Sequence, residues 1–157
     1  MKDGFIKVAS YSPVLKVADC DKNADIIVKS YIDAANKGVK LLVLPEMAIT
    51  AYTVGELVSN RALLVSAEKA LLKIREATKG YDTLLVVGFP FSQNGAIYNC
   101  AAVITDGSIL GIVPKTAVKC GGENYDGRYF TPAPEFNTEI TLGEEIVTFG
   151  KKQIFAC

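Results

Sequence analysis

The spacing of hydrophobic and polar positions changes several times along the chain. In residues 4–10, GFIKVAS, Ile6, Val8 and Ser10 alternate with Phe5, Lys7 and Ala9, which is typical of a short opening β-strand that ends before Pro13. Residues 41–44 are apolar without interruption and are followed by a proline. An unbroken apolar run of this length predicts a strand inside a sheet, packed on both of its faces.

Two longer stretches repeat their apolar residues at helical spacing. Residues 23–37 place an apolar stripe on one side and Asp–Lys pairs four residues apart on the other, and Gly38 follows as a C-terminal cap. Residues 61–78 show the same period and stop before Gly80. We therefore predict two amphipathic helices, each of which follows a strand.

Short strands replace the helices in the second half of the chain. Asp106-Gly107 is a strong turn signal for a hairpin, and residues 115–134 are rich in Gly, Pro, Asn and Asp, which predicts a long loop. Loops of this length in a compact domain usually serve a site. The pattern as a whole indicates an α/β fold, with further strands predicted at 83–91, 96–105, 108–114, 146–150 and 153–157.

Two of the predicted strands end in a proline that is followed by a charged residue. Pro45 precedes Glu46, and Pro114 precedes Lys115. Because proline lacks an N–H, it ends strand pairing and places the next side chain at the carboxyl edge of the sheet, where ligands of α/β proteins bind. Taken alone, either residue could be an ordinary solvated loop charge. Together, the two opposite charges predict a shared cleft.

Composition limits the chemistry that such a cleft can perform. The 157 residues contain no histidine, which excludes Ser-His-Asp triads, Cys-His pairs and imidazole metal sites and leaves Asp, Glu, Lys, Cys and Tyr for acid-base work. The four cysteines form no CxxC pair, so we expect reduced thiols and no metal site.

Charge and hydropathy also limit the possible partners and the location. Seventeen basic and seventeen acidic residues balance without a basic stripe, so we expect neither a nucleic acid nor an anionic membrane as partner. Apolar runs are too short for a membrane span or an export signal, and we expect a cytoplasmic protein.

The stretches LVLPEM and GIVPK, with IYNCAAVI and Asp106-Gly107 between them, resemble the nitrilase, or carbon-nitrogen hydrolase, superfamily. The resemblance implies a nitrilase-like α-β-β-α sandwich and a Glu-Lys-Cys triad. In that triad a cysteine thiolate attacks an amide carbon, Glu46 is the general base and Lys115 stabilises the oxyanion. Such chemistry needs no imidazole.

Within that superfamily the resemblance is greatest to the glutaminase domains of glutamine-dependent NAD synthetases, and it covers nearly the whole chain. It implies glutamine or another small amide as substrate and a synthetase domain, absent from this chain, as the recipient of the ammonia. No SGGxDS-like loop occurs, so ATP is expected only in that synthetase domain and no cofactor is expected in this chain.

The resemblance also implies further substrate-binding residues. Tyr52 corresponds to the tyrosine of a PE-x-x-x-(T/S)-G-Y motif, although Ala51 replaces its glycine; a packed aromatic at a turn is an equal interpretation. Glu123 and Tyr125 lie where the family places a second acid and aromatic residues near the substrate. The adjacent residues 120–122, Cys-Gly-Gly, depart from the more aromatic family pattern.

The nucleophilic cysteine is the open point of the sequence. Cys157 ends an apolar stretch after Lys115, but the family nucleophile usually lies on an ICED-like strand, and residues 146–156 resemble the strand pair before it. Cys20 and Cys100 are interpreted as structural, and Cys120 as a remote candidate.

We therefore expect residues 1–157 to be one partial, inactive domain truncated at the C-terminus, which forms homo-oligomers through the apolar face left by the missing strands. A stand-alone nitrilase-type amidase that uses Cys157, and a catalytically dead nitrilase-like assembly module, remain as alternatives.

Overall fold

A computed structural model describes residues 4–121 and 125–155. The described residues form two α-helices, seven β-strands and two 3₁₀ segments, Tyr52–Ser59 and Asp126–Arg128. In chain order the main elements are β1 (Val8–Ser10), α1 (Cys20–Asn36), β2 (Leu41–Val43), α2 (Arg61–Ala77), β3 (Leu84–Gln93), β4 (Ala96–Thr105), β5 (Ser108–Pro114), β6 (Thr138–Leu142) and β7 (Glu145–Phe149).

All seven strands belong to one mixed sheet, in the order β1-β2-β3-β4-β5-β7-β6. The first three strands are parallel, and β3, β4 and β5 form an antiparallel meander. β7 then runs parallel to β5, and β6 closes the edge as the antiparallel partner of β7. The carboxyl ends of β2 and β5 consequently lie at the same edge of the sheet, on either side of β3 and β4.

The two helices pack against each other, and α2 packs on the sheet at β3 and β5. Each helix begins at a side-chain cap: Asp19 accepts a hydrogen bond from Lys22 N, and Asn60 accepts one from Ala62 N. The Tyr31 hydroxyl fixes α1 to the end of the loop before β3 by donating to Thr83 O at 2.8 Å. The buried side of the sheet contains Leu42, Leu85, Val87, Phe89, Ala102, Ile104 and Ile112.

The opposite face of the sheet is apolar but only partly covered by the described residues. Val43 is 38% exposed, and Leu41, Leu84, Val86 and Val113 are half-buried. The prediction that β2 packs on both faces is therefore wrong for the described part of the chain. One helical layer and one sheet, half of a four-layer sandwich, are what those residues supply.

Several elements differ from the predictions. β1 begins at Val8 and not at residue 4. α1 begins three residues before residue 23, because the Asp19 cap allows an earlier start. β6 was not predicted, since its alternation is short and its outward side chains include Glu139 and Thr141. Residues 153–155, predicted as strand, pair with no strand, and Gln153 contacts β5 through its side-chain amide instead.

Neither helix in the described ranges has the length and apolar character that crossing a lipid bilayer requires.

Candidate active site

Glu46 lies where the chain leaves the sheet after β2. Leu44 N still donates to Val86 O at 2.9 Å, as in a continued parallel strand. Pro45 has no N–H to continue the ladder, and the chain turns away over the carboxyl edge. The sequence prediction for this strand end therefore agrees with the local structure.

The turn that carries Glu46 passes unusually close to β3 at Gly88. A Cβ at Gly88 would lie 2.7 Å from Pro45 O and closer still to Met47 N, so only glycine fits. Ile49 N then donates to Gly88 O at 3.1 Å and fixes the turn in place. Gly88 was not recognised from the sequence, where its only signal is a glycine within an apolar strand.

Asn23, at the start of α1, holds the same turn from the other side. Its side chain is fully buried and donates to Ile49 O at 3.0 Å and to Lys16 O at 2.8 Å, and it accepts from Lys16 N at 2.8 Å. The turn is thus tied to both the helical layer and the sheet. A rigid support of this kind is what a precisely placed carboxylate requires.

Lys115 continues the β4–β5 ladder by one residue, since its N–H donates to Asn99 O at 2.8 Å. Its ammonium lies 2.7 Å from Glu46 Oε1 and 2.8 Å from Asp126 Oδ2. The side chains of Lys115 and Glu46 are 32% and 42% exposed, whereas that of Asp126 is only 8% exposed. The two charges that follow the prolines therefore meet in one cluster that remains accessible to solvent.

The contacts around Lys115 act on its pKa in opposite directions. Partial burial of the ammonium lowers the pKa, but the hydrogen bonds to Asp126 and Glu46 raise it, and the net result is a raised pKa. Lys115 is therefore a stable cation at neutral pH. A fixed cation of this kind can stabilise an oxyanion but cannot serve as a base.

Asp126 is a member of this charged cluster that the sequence analysis missed. It opens the second 3₁₀ segment, and its carboxylate accepts from Lys115 through Oδ2 and from the Tyr52 hydroxyl through Oδ1, at 3.0 Å. The hydrogen bond to Asp126 raises the pKa of Tyr52. The sequence offers one signal for Asp126: it is an acidic residue in the middle of the predicted long loop, three residues after Glu123.

The remaining predicted substrate-binding residues have different outcomes. Tyr52 joins the cluster through Asp126. Tyr125 does not: its ring is exposed, and the guanidinium of Arg128 lies 5.0 Å from the ring centroid. Glu123 lies outside the described residues, as does Cys157.

Two cavities adjoin this cluster. The larger, of about 490 Å³, contains Glu46, Asn99, Lys115 and Lys151, and its floor is the apolar sheet face with Val43, Val86, Ala101 and Val113. The smaller, of about 220 Å³, is lined by Met47, Tyr52, Tyr125, Asp126, Arg128 and Phe130 among others. Asp126 thus joins the two, since it lines the smaller cavity and binds the lysine of the larger one.

Three cysteines lie in the described residues, and two of them are buried. Cys100 borders the larger cavity, but burial raises the pKa of its thiol, and burial has the same effect at Cys20. Both are therefore poor nucleophiles at neutral pH. Cys120 is exposed, and its sulfur packs against Gly127, beside Asp126.

Within the described ranges, no group of His, Cys, Asp and Glu side chains is arranged to hold a metal ion.

Residues 7–148 match the carbon-nitrogen hydrolase family model, which covers most of the chain. The chain belongs to the carbon-nitrogen hydrolase family. It is 31% identical over 153 residues to the glutamine-dependent NAD(+) synthetase of Mycobacterium tuberculosis, and the alignment covers 98% of this chain and 22% of the synthetase. A second such synthetase, from Thermotoga maritima, is 31% identical over 135 residues, which are 86% of this chain and 23% of the relative. This carbon-nitrogen hydrolase chain therefore spans about a fifth of the length of these relatives.

Solved structures of this family agree with the fold. The glutamine-dependent NAD(+) synthetase of Cytophaga hutchinsonii superimposes with a TM-score of 0.86 at 25% identity, over 92% of this chain and 25% of the other. An amidase from Nesterenkonia sp. superimposes with a TM-score of 0.68 at 18% identity, over 91% of this chain and 54% of the other, and shows the fold alone. The predicted superfamily and the nitrilase-like fold class are both confirmed.

Proposed function

We propose that these residues form the glutamine-hydrolysing domain of a glutamine-dependent NAD synthetase. The chain superimposes on such a synthetase with a higher TM-score and a higher identity than on the amidase, which supports this assignment over a stand-alone amidase. The observation that carries the proposal is the 2.7 Å contact between Lys115 Nζ and Glu46 Oε1 in an open cavity. It brings together a carboxylate and a cation without any imidazole.

The proposed reaction uses these two groups and a cysteine. Glu46 takes the proton of the thiol, and the thiolate attacks the carboxamide carbon of glutamine. Lys115 stabilises the negative oxygen of the tetrahedral intermediate. The C–N bond then breaks as Glu46 returns the proton to the nitrogen, which leaves as ammonia, and a thioester remains. Water, activated by Glu46, hydrolyses the thioester to glutamate and restores the thiol.

Ammonia release from glutamine tests the proposal, measured on the protein as the cell produces it. Glu46→Gln keeps the shape of the side chain but removes the base, and it should abolish release. Glu139→Gln makes the same change on the exposed side of β6 and should leave release unchanged. Full turnover by Glu46→Gln would reject the assignment.

The position of the nucleophile is part of the proposal. The family pattern favours an ICED-like strand, and the alternative is Cys157 itself, in which case a nitrilase-type amidase becomes the better description. A glutamine-like electrophile followed by peptide mass spectrometry separates the two, because a label on Cys157 supports the alternative. A catalytically dead assembly module predicts that no cysteine is labelled at all.

We also propose a synthetase domain as recipient of the ammonia, a cytoplasmic location and association of copies. The support for association is the partly exposed apolar sheet face around Val43 and Val86. Analytical ultracentrifugation measures it directly, and a monomer at all concentrations contradicts it.

A further inference from the structure

Asn99 is hydrogen-bonded to both charged residues of the candidate site, yet the proposed reaction gives it no role. It lies in β4, opposite Pro90 of β3, and is 4% exposed. Its side-chain amide donates to Glu46 Oε1, and its backbone carbonyl accepts from Lys115 N at 2.8 Å. One residue of a central strand thus contacts the carboxylate of Glu46 through its side chain and holds the backbone of Lys115 through its own backbone.

The hydrogen bonds to Glu46 are distributed unevenly between its two oxygens. Within the described ranges, Asn99 Nδ2 and Lys115 Nζ both donate to Oε1, and no donor reaches Oε2. A carboxylate oxygen offers about two lone-pair sites, so two donors occupy Oε1 fully. Oε2 therefore keeps both of its sites for a proton that is to be transferred.

We infer that Asn99 is a positioning residue that holds Glu46 by Oε1, so that Oε2 is the oxygen which takes and returns the proton. The inference rests on the proposed amide hydrolysis. Without the amide donor, the carboxylate can tilt about its last bond while it keeps its ion pair with Lys115. A half-turn only exchanges two equivalent oxygens, but any smaller rotation turns the proton-accepting oxygen away from the substrate.

The alternative explanation is that Asn99 only satisfies its own buried amide. That role would affect folding stability, since an unpaired buried polar group is destabilising. It would not change the chemical step relative to substrate binding. The ratio of the changes in kcat and KM therefore distinguishes the two roles.

Asn99→Leu is the principal test, because leucine has the same branched shape, carries no donor and keeps the backbone bond to Lys115. We expect kcat for glutamine to fall roughly 10²-fold with KM little changed, as for a misplaced catalytic group. Asn99→Ser, which is smaller and also fails to reach Glu46, gives the same test should the leucine variant fold poorly. Thr105→Val, at the far end of the same strand, is the control and should retain full kcat.

A retained kcat in a folded Asn99 variant overturns the inference. Crystal structures of the variants give a second readout, which does not depend on turnover: the Glu46 carboxylate should be rotated or displaced, and an unchanged carboxylate contradicts the positioning role. Wild-type protein and Glu46→Gln are assayed beside them. Absence of hydrolysis by the wild type counts against the proposed function, whereas normal wild-type hydrolysis with an unaffected Asn99→Leu counts only against the role of Asn99.

Discussion

Asp126 lies 2.8 Å from the ammonium of Lys115, eleven residues away along the chain, and it shares its other oxygen with the Tyr52 hydroxyl. Because its side chain is almost fully buried, Asp126 is a fixed acceptor between two partly exposed donors. The long loop after Lys115 therefore returns to the lysine and orients it. Lys115 is held by two carboxylates, Glu46 and Asp126, which lie far apart in the sequence.

Replacing Asp126 by Asn should lower the pKa of Tyr52 towards its ordinary value of 10.0, since the hydrogen bond to Asp126 is the main cause of the raised value. Carbon-13 NMR of labelled tyrosine, with Tyr52→Phe used for assignment, follows the titration. Asp106→Asn, which removes a carboxylate near Gly80, is the control and should leave Tyr52 unchanged. An unaltered Tyr52 titration in Asp126→Asn contradicts the contact.

Replacing Lys115 by Met should remove a pH-dependent part of the stability. The pKa of Lys115 is raised above its ordinary value of 10.5 in the folded protein, so its charge stabilises the fold below that pH. The contribution is lost as the pH rises through the folded pKa. Urea unfolding of both proteins at several pH values measures this contribution to the free energy of unfolding.

The difference in unfolding free energy between wild type and Lys115→Met should accordingly shrink above about pH 10.5. Lys69→Met, on the exposed side of α2, controls for removing a positive charge and should show no such trend. A difference that stays constant with pH contradicts the prediction.

Gly88→Ala should destabilise the protein by roughly 1–3 kcal/mol, because its Cβ would meet the backbone of the turn that carries Glu46. The turn can respond only by moving Glu46, so glutamine hydrolysis should fall as well. Gly111→Ala is the matched control: its Cβ would meet mainly the side chain of Gln153, which can move aside. Equal unfolding free energies for the two variants in urea would show that the turn is not held closely against β3.

Asn23→Ala should lower the unfolding free energy by about 3 kcal/mol, because it removes three hydrogen bonds and leaves the buried Ile49 carbonyl without its Asn23 donor. Asn60→Ala, which removes only an exposed helix cap, should lower it by about 1 kcal/mol. Thermal unfolding of wild type and the two variants measures both losses of unfolding free energy. A smaller effect at Asn23 than at Asn60 contradicts the anchoring role.

The sequence predicted those features that depend on residues close together in the chain. Helical spacing and strand alternation located both helices and most strands to within a few residues. A proline followed by a charge identified Glu46 and Lys115, since the lack of an N–H ends a strand wherever it occurs. Cys20, at a predicted helix start, and Cys100, in a predicted apolar strand, were interpreted as structural, and both are buried.

Other features depended on how distant segments meet. The register of β3, β4 and β5 places Asn99 beside Lys115 and below Glu46, and the path of the long loop brings Asp126 to the lysine. The need for glycine at Gly88 arises only because the Glu46 turn crosses it. Local sequence therefore determined which elements form and where charges leave the sheet. Only the tertiary structure decided which side chains touch, because hydrogen bonds and close contacts act over a few ångströms between residues tens of positions apart.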